Sequence, residues 1–79
     1  MKAIETIVHI DKEGNMWPYR FRLTAEDESL VVVNISRVLF CEEETKGRLK
    51  YRCECVIQDR KRCVDIYFKK MDMRWYLKV

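Results

Sequence analysis

Residues 51–58 read YRCECVIQ. Tyr51, Cys53, Cys55 and Ile57 share one phase of a two-residue alternation, and Arg52, Glu54, Val56 and Gln58 hold the other. Two cysteines one residue apart fit half a metal site, half a disulfide framework, or two small residues on the inner face of a strand. Alternation with an apolar phase is the mark of a half-buried strand. A free cysteine on that phase behaves as a small hydrophobe.

The same period runs through the chain. No stretch repeats at the helical period with caps, and Val, Ile, Tyr, Phe, Trp and Thr dominate the apolar runs. Six strands are predicted, over about 2–10, 17–23, 30–42, 48–58, 63–69 and 73–79. Between the first two, "DKEGN" supplies Gly14 for the positive φ of a tight hairpin. Pro18 lacks a ladder donor and belongs at a strand start or an edge.

Registers follow from asking apolar faces to coincide. A turn centred on Glu13-Gly14 sets Ile10 against Trp17, Val8 against Tyr19, Thr6 against Phe21 and Ile4 against Leu23. A turn at Arg60-Lys61 sets Ile57 against Val64, Cys55 against Ile66 and Cys53 against Phe68. A turn at Met71-Asp72 sets Phe68 against Trp75, Ile66 against Leu77 and Val64 against Val79. A slip of one residue would turn each set outward.

The third strand breaks phase: Val31, Val33 and Ile35 share a face, but Val38 and Phe40 take the other. A β-bulge near Ser36-Arg37 returns both groups to the core and bends the strand. The expected fold is an all-β, six-stranded antiparallel meander, a small barrel or a strongly curled sheet. It forms one domain over residues 1–79. Such a chain buries roughly 60–65% of its unfolded surface. With 48% hydrophobic and 37% charged residues it has material for a core and a soluble exterior.

"PYRFRL" in the second strand, "RCEC" in a central strand and the ending "WYLKV" resemble a family of short, uncharacterised bacterial six-stranded β-barrel proteins. The resemblance implies the barrel fold. That family has no assigned activity, so no site residues follow from it.

No apolar run approaches the ~20 residues of a membrane helix. The start, "MKAIETIVHID", carries Glu5 and His9 inside it, unlike a signal peptide. The expected location is the cytoplasm, where thiols stay reduced. Cys63 falls on the outward phase, opposite Gln58, while Cys41 follows the bulge and its direction is open. The spacing matches none of the paired zinc knuckles, so neither metal nor cofactor is expected.

Catalysis has little to stand on. His9 is the only histidine and is predicted to face outward. Ser29 and Ser36 have no motif around them. Glu26-Asp27-Glu28 and Glu42-Glu43-Glu44 lie in or beside turns, where carboxylates are solvated. Gly14 and Gly47 are turn glycines, not a phosphate loop.

Binding is the expected role. Residues 1–45 hold five Lys/Arg and nine Asp/Glu, whereas residues 46–79 hold eleven and four. This asymmetry suits an acidic partner for the second half, or two ends of one fold that attract each other. The registers set Arg52 beside Lys69 and Lys69 beside Arg74 on the outer face. They also set Glu54 beside Tyr67, Tyr67 beside Tyr76, and Asp65 opposite Lys78. Lys50 and Lys70 extend this basic edge. Cations interleaved with aromatic rings suit single-stranded nucleic acid.

Arg20, Arg22 and Arg37 form another outer region near Trp17 and Pro18, able to grip a carboxylate or phosphate. The plainer reading is that Arg20 and Arg22 lay their stems over neighbours such as Val32. A protein partner, including a second copy of the chain, is the leading expectation, and nucleic acid the alternative.

Overall fold

A computed structural model describes all of residues 1–79. The strands are β1 (Lys2–Ile10), β2 (Met16–Thr24), β3 (Leu30–Thr45), β4 (Arg48–Ile57), β5 (Arg60–Lys69) and β6 (Arg74–Leu77). Each pairs antiparallel with the next, and β6 returns to β1, so the sheet closes into a barrel. Closure runs through Lys2–Leu77, Ala3–Tyr76 and Ile4–Trp75. It leaves no strand edge open for another chain to extend.

Inward residues of all six strands make one core: Ile4, Phe21, Val33, Tyr51, Cys53, Cys55, Ile66, Phe68 and Trp75. The Trp75 ring packs 5.4 Å from Tyr51 and 4.9 Å from Phe68, centroid to centroid, in tilted geometry. Tilted pairs at this distance add stability beyond their buried area. The Tyr51 hydroxyl donates to the Met16 carbonyl at 2.8 Å, tying β4 to β2 across the barrel. Burial of that phenol raises its pKa strongly, so it stays a donor.

The first hairpin departs from expectation at its turn. Asp11 and Asn15 close a three-residue loop, with Asp11 N–H donating to the Asn15 carbonyl and Gly14 N–H to that of Asp11, each at 2.9 Å. Gly14 takes φ +86°, the left-handed position such a loop needs. The extra loop residue pairs Ile10 with Met16 and His9 with Trp17. A bulge between Ile7 and Val8 skips Tyr19 and restores the expected Thr6–Phe21 pair.

Between turn and bulge the faces are therefore exchanged. Pro18 is buried and Met16 half-buried, while Ile10, Trp17 and Tyr19, all expected inside, are exposed. Pro18 sits beside the bulge, where the ladder is already interrupted and its missing N–H costs least.

On β3 the phase break lies where expected: Ile35 pairs with Cys55 and Arg37 with Glu54, leaving Ser36 as the bulged residue. A second shift skips Leu39, so Phe40 pairs with Arg52 and points outward, against expectation. The Arg52 guanidinium lies 5.2 Å from its ring centroid.

The β4–β5 turn is Gln58-Asp59, both at positive φ, rather than Arg60-Lys61. This is the two-residue hairpin geometry whose twist matches its strands. Each β4 residue consequently meets a β5 partner four positions away from the expected one: Tyr51 meets Ile66, Cys53 meets Val64 and Cys55 meets Arg62. An even shift keeps every side chain on its face. Phe68–Trp75, Ile66–Leu77, Tyr67–Tyr76 and Lys69–Arg74 form as expected.

Deleting Ser36 would put Val31, Val33, Ile35 and Val38 in one unbroken phase, but it would remove the bulge and straighten the strand, denying the barrel the bend on which its closure depends. The deletion variant is expected to lose its cooperative urea transition, followed by tryptophan fluorescence. Ser36→Ala keeps the extra residue and should stay within about 0.5 kcal/mol of the parent chain.

Candidate functional site

The outer face of β4, β5 and β6 carries most of the expected binding residues, but the observed register changes their neighbours. Arg52 faces Asp65, not Lys69, and Glu54 faces Cys63, not Tyr67. The Arg52 guanidinium donates two parallel hydrogen bonds to the Asp65 carboxylate, at 2.8 and 3.0 Å. Lys50 Nζ lies 4.0 Å from the same carboxylate and 3.6 Å from Glu44, and Arg48 donates to Glu44 at 2.6 Å. Arg37, expected near Arg20 and Arg22, instead stands 3.6 Å from Glu54.

The tyrosines are covered as well. Tyr67 points outward yet is only 3% exposed. The Arg48 guanidinium lies 5.0 Å over its ring, and Lys69 Nζ lies 4.9 Å over the ring of Tyr76. Cation–ring contacts of this kind hold the cations in place. They also leave Tyr67 without a free face on which a base could stack. Lys69 and Arg74 remain side by side without an acidic partner, whereas Lys78 lies further along the ladder beside Asp65, as expected, its N–H donating to the Asp65 carbonyl at 3.0 Å.

Arg20 and Arg22 lie on the other side of the barrel. Arg20 Nε donates to Asn34 Oδ1 at 2.9 Å, and Arg22 Nη2 donates to Glu5 at 2.9 Å. Both border a shallow groove of about 390 Å³ whose apolar lining includes Ile7 and Val32.

The thiols diverge. Cys53 and Cys55 are fully buried, whereas Cys41 and Cys63 are exposed. Burial pushes the Cys53 thiol up to about 12 and the Cys55 thiol up to about 11. Partial burial also raises Cys41. No group of three His, Cys, Asp or Glu side chains is arranged to hold a metal ion. His9 is exposed opposite Trp17.

One surface escaped sequence reasoning. At the barrel end that carries the β1–β2 and β5–β6 loops, Ile10, Met16, Trp17, Leu49, Phe68 and Met73 line an open mouth of about 460 Å³. Lys70 is the one charged residue in its lining. Trp17 is fixed at the rim by its indole N–H, which donates to Asp11 at 3.1 Å, and that bond is the main reason the Asp11 carboxyl titrates low. Met71, beside the mouth, is 98% exposed. The signal available in the sequence was "KKMDMRW", two methionines in a turn that has no core to fill.

Two measurements follow. At about pH 8, Ellman's reagent should label Cys63 quickly and Cys41 more slowly, and reach Cys53 and Cys55 only on unfolding, because the thiolate is the reactive form. Asp65→Asn removes the shared counter-ion of Arg52 and Lys50 and should cost about 1 kcal/mol, moderated by the solvent around Arg52. The Arg52 hydrogen bonds hold the Asp65 carboxyl below its ordinary range. Its contribution is therefore present above the unfolded carboxyl's pKa and lost as pH falls through the folded one. In the variant, urea titrations against pH should show a correspondingly shallower acid limb.

No protein-family model, curated protein or solved structure matches this chain, so the geometry above is what a functional reading has to rest on.

Proposed function

We propose that the protein is a non-catalytic interaction module that binds a protein partner at the open end of the barrel. The observation that carries this reading is the apolar mouth. Ile10, Trp17, Met71 and Met73 stand in water around it, although the barrel has a complete core beneath. Exposed apolar residues gathered in one place mark interaction sites more often than scattered ones do. Methionine side chains are flexible and polarisable, and suit surfaces that re-pack against a partner. The partner chemistry that fits is a short segment presenting apolar or aromatic side chains, because the lining offers almost no charge to pair.

A catalytic reading lacks a constellation: the single histidine is exposed on the outer face opposite Trp17, and no side-chain hydrogen bond joins it to a nucleophile or a carboxylate. Nucleic acid is the weaker alternative. Lys69 and Arg74 support it, but the aromatic platform that motivated it is occupied by Arg48 and Lys69.

The test is selection from a displayed library of random peptides on the folded protein. Enriched peptides should be apolar, and their affinity should fall at least tenfold with Ile10→Asp or Met73→Asp while the urea midpoint stays near that of the parent chain. Peptides indifferent to both substitutions would overturn the mouth as the binding site. Fluorescence anisotropy with a labelled single-stranded oligonucleotide at low salt should show no binding; saturable binding lost in a Lys69→Glu, Arg74→Glu variant would favour the alternative.

A further inference from the structure

We infer that the outer face of the β2–β3 hairpin is a self-association surface, on which two copies pack about a twofold axis near Thr24 and Leu30. In this arrangement Arg20 and Arg22 of each copy meet Glu26 and Glu28 of the other. The surface is distinct from the barrel mouth and does not depend on it.

The apolar part comes first. Outward positions of a solvent-facing strand are ordinarily polar. Here Leu30 is 60% exposed and Val32 56% exposed, with Ile7 exposed alongside. The ladder sets Leu30 opposite Thr24, Val32 opposite Arg22, and Ile7 opposite Arg20. The three apolar side chains thus lie along one patch, with the two arginines running through it.

Charge then selects the occupant. Thr24–Leu30 is the last pair before the loop Ala25–Ser29. On one side of that level stand Arg22 and Arg20, and on the other the loop carries Glu26, Asp27 and Glu28. The loop is a built structure: Ala25 N–H donates to the Ser29 carbonyl at 2.8 Å and Glu28 N–H to the Ala25 carbonyl at 2.9 Å. Asp27 is occupied within it, accepting from the Ser29 N–H and hydroxyl. Glu26 and Glu28 form no ion pair in the molecule, and neither does Arg20.

Asn34 holds Arg20 through Nε, which leaves the terminal nitrogens of the guanidinium for a carboxylate. Arg22 gives one nitrogen to Glu5 in a half-exposed pair, and such pairs contribute little and exchange readily.

A patch that is basic at one end, apolar in the middle and acidic at the other is self-complementary under a twofold rotation. The loop reverses between Glu26 and Glu28, so both carboxylates stand just beyond the Thr24 level; rotation about that level carries them to the level of Arg22 in the other copy, with Arg20 next along β2. Leu30 of each copy then falls beside the axis, against its counterpart, with Val32 next along β3. A purely acidic partner would meet only half of the patch and would be repelled by the loop. A second copy satisfies both halves.

The test uses sedimentation velocity across a concentration series. The parent chain should shift from monomer to dimer with rising concentration, and rising salt should reverse the shift. R20E/R22E alone and E26R/E28R alone should each stay monomeric with near-parental urea midpoints. Mixed in equal amounts they should form a heterodimer, because each carries the complement of the other. M73D should leave dimerisation unchanged. A parent chain that stays monomeric throughout, charge variants that still dimerise alone, a mixture that stays monomeric, or dimers dissolved by M73D would each overturn the inference.

Discussion

The pairing of β1 with β6 is what turns a curled sheet into a barrel. It consists of three residue pairs, and β6 is only four residues long. Yet Ile4 and Trp75, which face each other in that ladder, both belong to the core. Trp75 in turn packs on Tyr51 and Phe68. Opening the seam would expose the largest ring of the interior together with two rows of unpaired backbone groups, which is costly for both reasons. Closure also demands curvature. The 16-residue β3 supplies it through register shifts at Ser36, Leu39 and Glu44, since a strand of that length cannot wrap a small barrel in unbroken ladder.

The β3–β4 hairpin brings the two oppositely charged halves of the chain together. Glu43 accepts from Lys70 at 3.1 Å, and Glu44 meets both Arg48 and Lys50. Arg48, Lys50 and Lys70 of the second half are thereby matched by carboxylates of the first. Charge left without a partner then becomes informative. It gathers in the loop at 25–29, at Arg20, at Arg60, Lys61 and Arg62 beside the β4–β5 turn, and at Lys69 and Arg74. Net charge says little about where a protein binds; the charges that the fold leaves unmatched say more.

The fold was legible because a period of two survives errors that are themselves even. The β4–β5 turn lies two residues before its expected place, and Cys53 and Cys55 are buried all the same. Neighbours do not enjoy that protection: the same error set Arg52 beside Lys69 instead of Asp65 and made a basic row of what is an ion pair. Odd errors are worse. The loop at Asp11–Asn15 holds three residues where two were expected, and Trp17 moved from core to rim. Nothing in "DKEGN" distinguishes the two loop lengths, whereas the break at Ser36 is visible because it interrupts one continuous apolar run. Tyr67 shows a further limit. Its phase is outward as expected, but Arg48 and Lys50 on the neighbouring strand bury it, and only the register reveals which long side chains lie within reach.

The two proposed surfaces differ in place and in physics. In an antiparallel meander the β1–β2, β3–β4 and β5–β6 turns share one end of the barrel, and the β2–β3 and β4–β5 turns share the other. The mouth belongs to the first end and the charged hairpin to the second. Two copies joined at their β2–β3 hairpins would carry their mouths on far sides of the pair, both open. A ligand with two apolar segments on a linker long enough to span them would then bind the second mouth at a high effective concentration. A ligand with a single segment would gain nothing from the pairing. Self-association at one end of so small a barrel therefore changes which partners the other end favours, without altering any contact in the mouth itself.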